Sequence, residues 1–193
     1  MKRIILLFSL SLLLHLSLFS QAPANEKEFR ISAGAGLGAA TYIKSPGLNA
    51  WLQFTYKLAT HFSIALDAEE VNYKQQGYLI DLPIQPNEIN TFNQNISFLI
   101  KYYFKITGKV KIDVASGWSY CVQEANYYDF FGMDSSSIWS PKTTAFADYR
   151  IPFVAEISYP LTPALDLTAR LKYNFNGPDG DTYAGGIGLS LKL

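Results

Sequence analysis

From Phe29 onward the chain repeats one pattern, an apolar residue followed by a polar or small one. In the first such stretch Phe29, Ile31, Ala33, Ala35, Leu37 and Ala39 alternate with Arg30, Ser32, Gly34, Gly36, Gly38 and Ala40. A period of two puts each set on its own face of a β-strand, so the alternation predicts a two-faced strand. The pattern returns at 51–58, 62–69, 96–105, 110–121, 148–159, 165–175 and 183–193, which makes eight predicted strands. The last runs to Leu193, with Tyr183, Gly185, Ile187, Leu189, Leu191 and Leu193 on one face. Such a strand needs a neighbour for its hydrogen bonds, and the first strand of a closed barrel supplies one. Gly186 and Gly188 would then meet the glycines of the first strand, leaving room in the lumen for Arg30 and other long charges.

Alternate links are tight, at Ala59–His61, Ile106–Lys109 and Pro160–Pro163. The others include two long ones, Lys74–Thr91 and Gln123–Thr144, and the shorter Lys44–Asn49 and Asn176–Asp181. Short turns on one side and long loops on the other are the habit of outer-membrane barrels. The fold expected is therefore all-β, an eight-stranded antiparallel up-and-down transmembrane β-barrel.

Alternation alone does not say which face points inward, and a soluble lipocalin-like barrel would turn the apolar set inward around a ligand. The distribution of aromatics favours the membrane arrangement. Tyr56, Tyr102, Phe104 and Tyr159 fall toward the short turns, while Tyr73, Trp118, Tyr149, Phe175 and Tyr183 fall toward the long loops, as two interfacial girdles would. The opposite face carries glycines and long charges of both signs, among them Arg30, Lys101, Asp113, Arg150, Glu156 and Arg170, with Asp67, Glu69, Asp166, Lys172 and Lys192. In a lumen just wide enough for side chains, these are expected to neutralise one another as a plug rather than line a channel or proton relay. Pro152, on this polar face, is expected to mark a bulge.

The first residues add a destination. Lys2 and Arg3 precede an apolar run from Ile4 to Phe19, and Ala22-Pro23-Ala24 follows as a cleavage context. The run is short for a membrane-spanning helix, so residues 1–24 read as a cleaved signal peptide and 25–193 as the barrel domain. Without Lys2 and Arg3 the chain has fourteen basic and sixteen acidic residues, a balance that does not suit nucleic acid. Cys121 is the only cysteine and reads as a small buried residue, with no internal disulfide available.

At Gln94–Phe104, QNISFLIKYYF, and at Glu70–Gly77, EVNYKQQG, the sequence resembles the small outer-membrane β-barrel domain proteins of Gram-negative bacteria. Members of that family often have a proline where Ser97 stands and commonly finish in an aromatic residue where this chain has Leu193. The resemblance implies an outer-membrane location, the lipid bilayer and the barrel-insertion machinery as partners, and no established activity.

Candidate chemistry is sparse. Barrel enzymes use His near the external rim, but the only histidine after the signal segment is His61, in a short turn on the periplasmic side. Asp179 and Asp181 belong to a stretch too short for an EF-hand loop, and a tight turn accounts for them. The sequon Asn95-Ile96-Ser97 falls in a strand and is read as chance. No cofactor, metal or catalytic set is expected, and the chain is read as a non-enzyme. The aromatic tract Tyr127, Tyr128, Phe130 and Phe131, with Trp139, is the candidate contact for an external ligand, or else folds over the barrel mouth. The expected function is a structural or surface-interaction role through the external loops. Transport of small or hydrophobic solutes and the soluble ligand-binding barrel are the alternatives.

Overall fold

The computed structural model describes residues 28–41, 43–75, 89–105, 109–131, 138–176 and 181–193. The expected signal segment, the turn Thr107-Gly108 and Asp179 lie outside them. Eight strands follow in order: β1 Phe29–Ala40, β2 Ile43–Lys57, β3 Phe62–Gln75, β4 Ile89–Lys105, β5 Lys111–Phe131, β6 Ile138–Pro160, β7 Leu165–Phe175 and β8 Thr182–Lys192. Each pairs antiparallel with the next, and β8 pairs with β1 along Arg30–Ala40 to close a barrel.

The pairing fixes the stagger. A circuit of cross-strand partners that leaves β4 at Asn95 passes Glu69, Trp51, Gly34, Gly188, Thr168, Ser158 and Lys111 and returns to β4 at Lys105, ten residues along. A shear of this size tilts the strands by about 35–45° to the axis. Every lumen-facing set then follows from residue parity.

Parity also settles the faces. Outward residues include Leu171, 69% exposed, and Ile187, 64% exposed, whereas inward Asp67 and Asp166 are fully buried. The apolar set is outside, the reverse of a lipocalin-like ligand barrel. Aromatics gather at both ends of this band. Phe29 stacks on Phe54, and Tyr102 meets Phe62 and Phe104 edge-on near the short turns. Tyr120 lies against Tyr149, and Tyr173 against Tyr183, toward the other end.

Four sequence expectations change. Tyr73 is not in the outer girdle: it shares parity with Asp67 and is fully buried in the lumen, beside Val71 and Ala40. The region read as the long loop Gln123–Thr144 is in large part strand, since β5 and β6 stay paired to Phe131 and Ile138, while Lys74–Thr91 begins and ends in strand at Gln75 and Ile89, with residues 76–88 outside the described set. The link Lys44–Asn49 is likewise part of β2. Pro152 makes no bulge: the β5–β6 register is the same on either side, at Ser116↔Phe153 and Ser119↔Arg150, and the ladder skips the partners between.

The β1–β8 seam is the fourth change. It is close-packed rather than roomy. A Cβ on Gly36 would run into the Gly185 carbonyl oxygen and lie 2.5 Å from Gly186 Cα, and one on Gly188 would lie 2.7 Å from Gly34 Cα. On the inner side the Trp51 indole covers Gly34, where a Cβ would meet Trp51 Cζ2 at 2.6 Å. The glycines admit a neighbouring backbone and an indole, not the charged side chains.

Candidate functional site

The inward charges fall into three layers. The middle one centres on Asp67 of β3, fully buried, whose two oxygens accept a bidentate pair from Arg170 at 2.6 and 2.7 Å. Lys172, two residues along β7 on the same face, donates to Asp67 at 2.8 Å and to Ser97 Oγ at 3.0 Å and lies 3.0 Å from Glu69. Lys101 of β4 pairs with Glu156 of β6, donates to Gln53 Oε1 at 2.8 Å and lies 3.9 Å from Asp113. Gln53 returns a bond to Glu156 at 3.1 Å, and Arg170 Nε is 4.0 Å from the same carboxylate. The Arg170 guanidinium also lies 4.8 Å from the Trp51 ring centre, so the indole over the glycine seam supports the central cation. Three cations thus face four carboxylates across the barrel axis. Each ion is held by partners on other strands, which offsets part of its desolvation.

The layer toward the short turns centres on Asp166, with Lys192 at 2.6 Å, Lys111 at 3.7 Å and Arg30 at 4.0 Å. Arg30 also holds Glu28 at 2.8 Å. Burial pushes the Glu28 carboxyl up, but the Arg30 bond and charge, with Lys111 and Lys192 beyond, outweigh it and hold the group below the ordinary glutamate value. Toward the other end Arg150 pairs with Asp148 at 3.0 Å and donates to Thr182 Oγ1 at 3.4 Å, and Asn176 donates to Asp148 at 2.7 Å.

Of the six lumen charges singled out from the sequence, the structure brings Lys101, Asp113, Glu156 and Arg170 together. Arg30 and Arg150 stand apart, one in each flanking layer. The sequence gives Asp67 and Lys172 no special weight among the inward charges, although they form the tightest cluster. It offers no signal for Gln53, Ser97 and Trp51, whose parity is shared by many polar residues. Cys121 is buried with its thiol on Asn93, as a small core residue would be. His61 is exposed in its turn, with Nδ1 3.1 Å from the Tyr103 carbonyl oxygen. Asp181 accepts from Asn176 N at 3.1 Å and from the Tyr173 hydroxyl at 2.7 Å. Among the described residues no group of three or more His, Cys, Asp or Glu is placed to hold a metal.

The external candidates lie on strands. Tyr127, Tyr128, Phe130 and Phe131 belong to β5 and Trp139 to β6, in the register Tyr127↔Lys142, Tyr128↔Pro141, Phe130↔Trp139 and Phe131↔Ile138. Their side chains are outside the described set. β5 and β6 have 21 and 23 residues, against 11 in β7 and β8 and 12 in β1. The excess projects beyond the outer girdle at one side of the barrel. β6 pairs with β7 along Ile151–Pro160, and its outer stretch from Ile138 to Arg150 pairs with β5.

No protein-family model matches the chain, and no curated protein does. Solved structures do. Ail, the attachment invasion locus protein of Yersinia pestis, solved with the heparin analogue sucrose octasulfate, has a TM-score of 0.59 at 12% identity, over 87% of this chain and 99% of that one. OprG of Pseudomonas aeruginosa gives 0.56 at 14% identity, over 86% and 96%. Neisserial surface protein A gives 0.52 at 16%, over 86% and 97%. Strand number and closure agree with these neighbours, and the chain has the fold of the small outer-membrane β-barrels of Gram-negative bacteria.

Proposed function

We propose that the chain is a non-enzymatic outer-membrane protein that meets partners at the cell surface through the projecting ends of β5 and β6, around a lumen closed by its own ion pairs. The signal segment 1–24 would export it and the barrel-insertion machinery would place it. The observation that carries the reading is the length of β5 and β6, 21 and 23 residues against 11 in β7 and β8, which takes both strands beyond the outer girdle. Strands that stand clear of the membrane present both their faces to partners outside the cell, where binding residues are disproportionately found. Tyr127, Tyr128, Phe130, Phe131 and Trp139 lie on the same projection and would supply side-chain contacts, since aromatics dominate binding hot spots. The attachment role in the name of Ail, a protein of similar fold, supports a surface role.

The test is a shortened protein in which residues 125–143 are replaced by an Asn-Gly turn. It is expected to keep the heat-modifiable mobility of a folded barrel while attachment of expressing cells to matrix- and serum-coated surfaces falls about tenfold, or 1.4 kcal/mol. Undiminished attachment would remove the sheet from the function. The closed lumen is tested separately in planar bilayers, where the full-length barrel is expected to show no conductance steps; steady steps would favour solute transport.

A further inference from the structure

The membrane-facing surface is not evenly filled. Val114, Leu171 and Leu37 form a ridge of cross-strand neighbours across β5, β7 and β1, interrupted by Ala155 on β6 and Gly185 on β8. One row nearer the outer end, Phe153, Tyr173 and Tyr183 make an aromatic wall, with ring centres 6.2 and 5.1 Å apart. Between ridge and wall runs an apolar groove of about 680 Å³.

Its course follows from the stagger. Val114 lies three residues from the periplasmic start of β5, and Leu37 three residues from the outer end of β1. The groove therefore climbs from the inner part of the apolar band to the outer girdle. There the Tyr173 hydroxyl is held by Asp181, so the wall stands polar tip outward. Crossing five strands, it is about 19 Å long at the usual strand spacing, the reach of an extended saturated chain of roughly fifteen carbons.

We propose that this groove seats one saturated acyl chain of an outer-leaflet lipid. The groove is continuous with the surface the barrel presents to hydrocarbon, and it opens at headgroup level on the outer side. A second barrel is convex and would rest on Leu171 and Leu37, both more than half exposed, without reaching the floor at Ala155 and Gly185. A slender chain fills the space. The inference rests on the membrane-spanning fold and is independent of the role given to the projecting ends of β5 and β6.

The test is native mass spectrometry of the full-length barrel, released from detergent in the presence of phosphatidylcholine with two 14-carbon saturated chains. Wild type and the control Ala33→Leu, an outward residue away from the groove, are expected to retain one lipid. Gly185→Leu is expected to bind it about tenfold more weakly. Its Cβ would lie 2.8 Å from Leu171 Cδ2, the far end of a flexible side chain, and in ordinary contact with the Arg170 carbonyl oxygen at 3.5 Å. Ala155→Leu, which fills the neighbouring gap, is expected to do the same, and the heat-modifiable mobility of each variant establishes that it has folded. A six-carbon-chain phosphatidylcholine is expected to bind as weakly to wild type as the long lipid binds to the variants. Equal retention by all four proteins would overturn the proposal, as would a dimer of the wild type that Gly185→Leu abolishes.

Discussion

Asp67 accepts three hydrogen bonds from two cations, and no strand it pairs with supplies either cation. Arg170 and Lys172 come from β7, on the far side of the barrel, while Asp67 is paired through β2 and β4. Removing its charge leaves two buried cations short of a counter-ion, which costs about 3–5 kcal/mol where such a pair is broken. Asp67→Asn is therefore expected to lower the stability of the detergent-solubilised barrel by that amount in urea unfolding. A loss below about 1 kcal/mol, the worth of an exposed pair, would mean that water reaches the cluster. The inward direction of Asp67 was legible from alternation, but its partners were not, because they depend on the stagger between strands distant in sequence. Tyr73 shows the converse error. A tyrosine near a strand end suggests a girdle, yet its odd number ties it to Asp67 and Glu69, and parity outweighs residue type.

Among the elements, the sequence reading succeeded where each strand has two different environments. β7 alternates without a break because one face meets hydrocarbon and the other the ion pairs, and its predicted limits coincide with the observed ones. The projecting ends of β5 and β6 look like loops in the sequence, since a sheet standing clear of the membrane has no oil-facing side to impose alternation. Pro152 misled for a different reason: with Gly117 and Trp118 unpaired across from Ile151 and Pro152, β6 loses ladder bonds without needing an extra residue. At the seam the constraint is one of backbone approach. Gly36→Val is expected to reduce the heat-modifiable fraction severely, because the new carbon meets the carbonyl of β8 rather than a movable side chain. Overpacking of a core typically costs about 1–3 kcal/mol even where side chains can shift. Full recovery of the folded form would show that the two strands can part and still seal.

Closure of the whole molecule was legible from a last strand that needed a partner, and the tight seam it forms governs how the chain is assembled. Seven of the eight pairings join strands consecutive in sequence; only β1–β8 joins the two extremes, with Arg30 opposite Lys192. Hairpins of neighbouring strands form with little loss of chain freedom, whereas uniting the extremes requires closing a loop as long as the barrel itself. During refolding into micelles, pulse-labelled amides of β5 and β6 are expected to be protected first and those of Ala33 and Leu189 last, and simultaneous protection would argue for collapse into a ready-made ring. The glycines at the meeting line act on this last step. With glycine at Gly34, Gly36, Gly186 and Gly188 the two edges have few inward side chains to clear, so the pairing expected to form last takes place where the chain is smoothest.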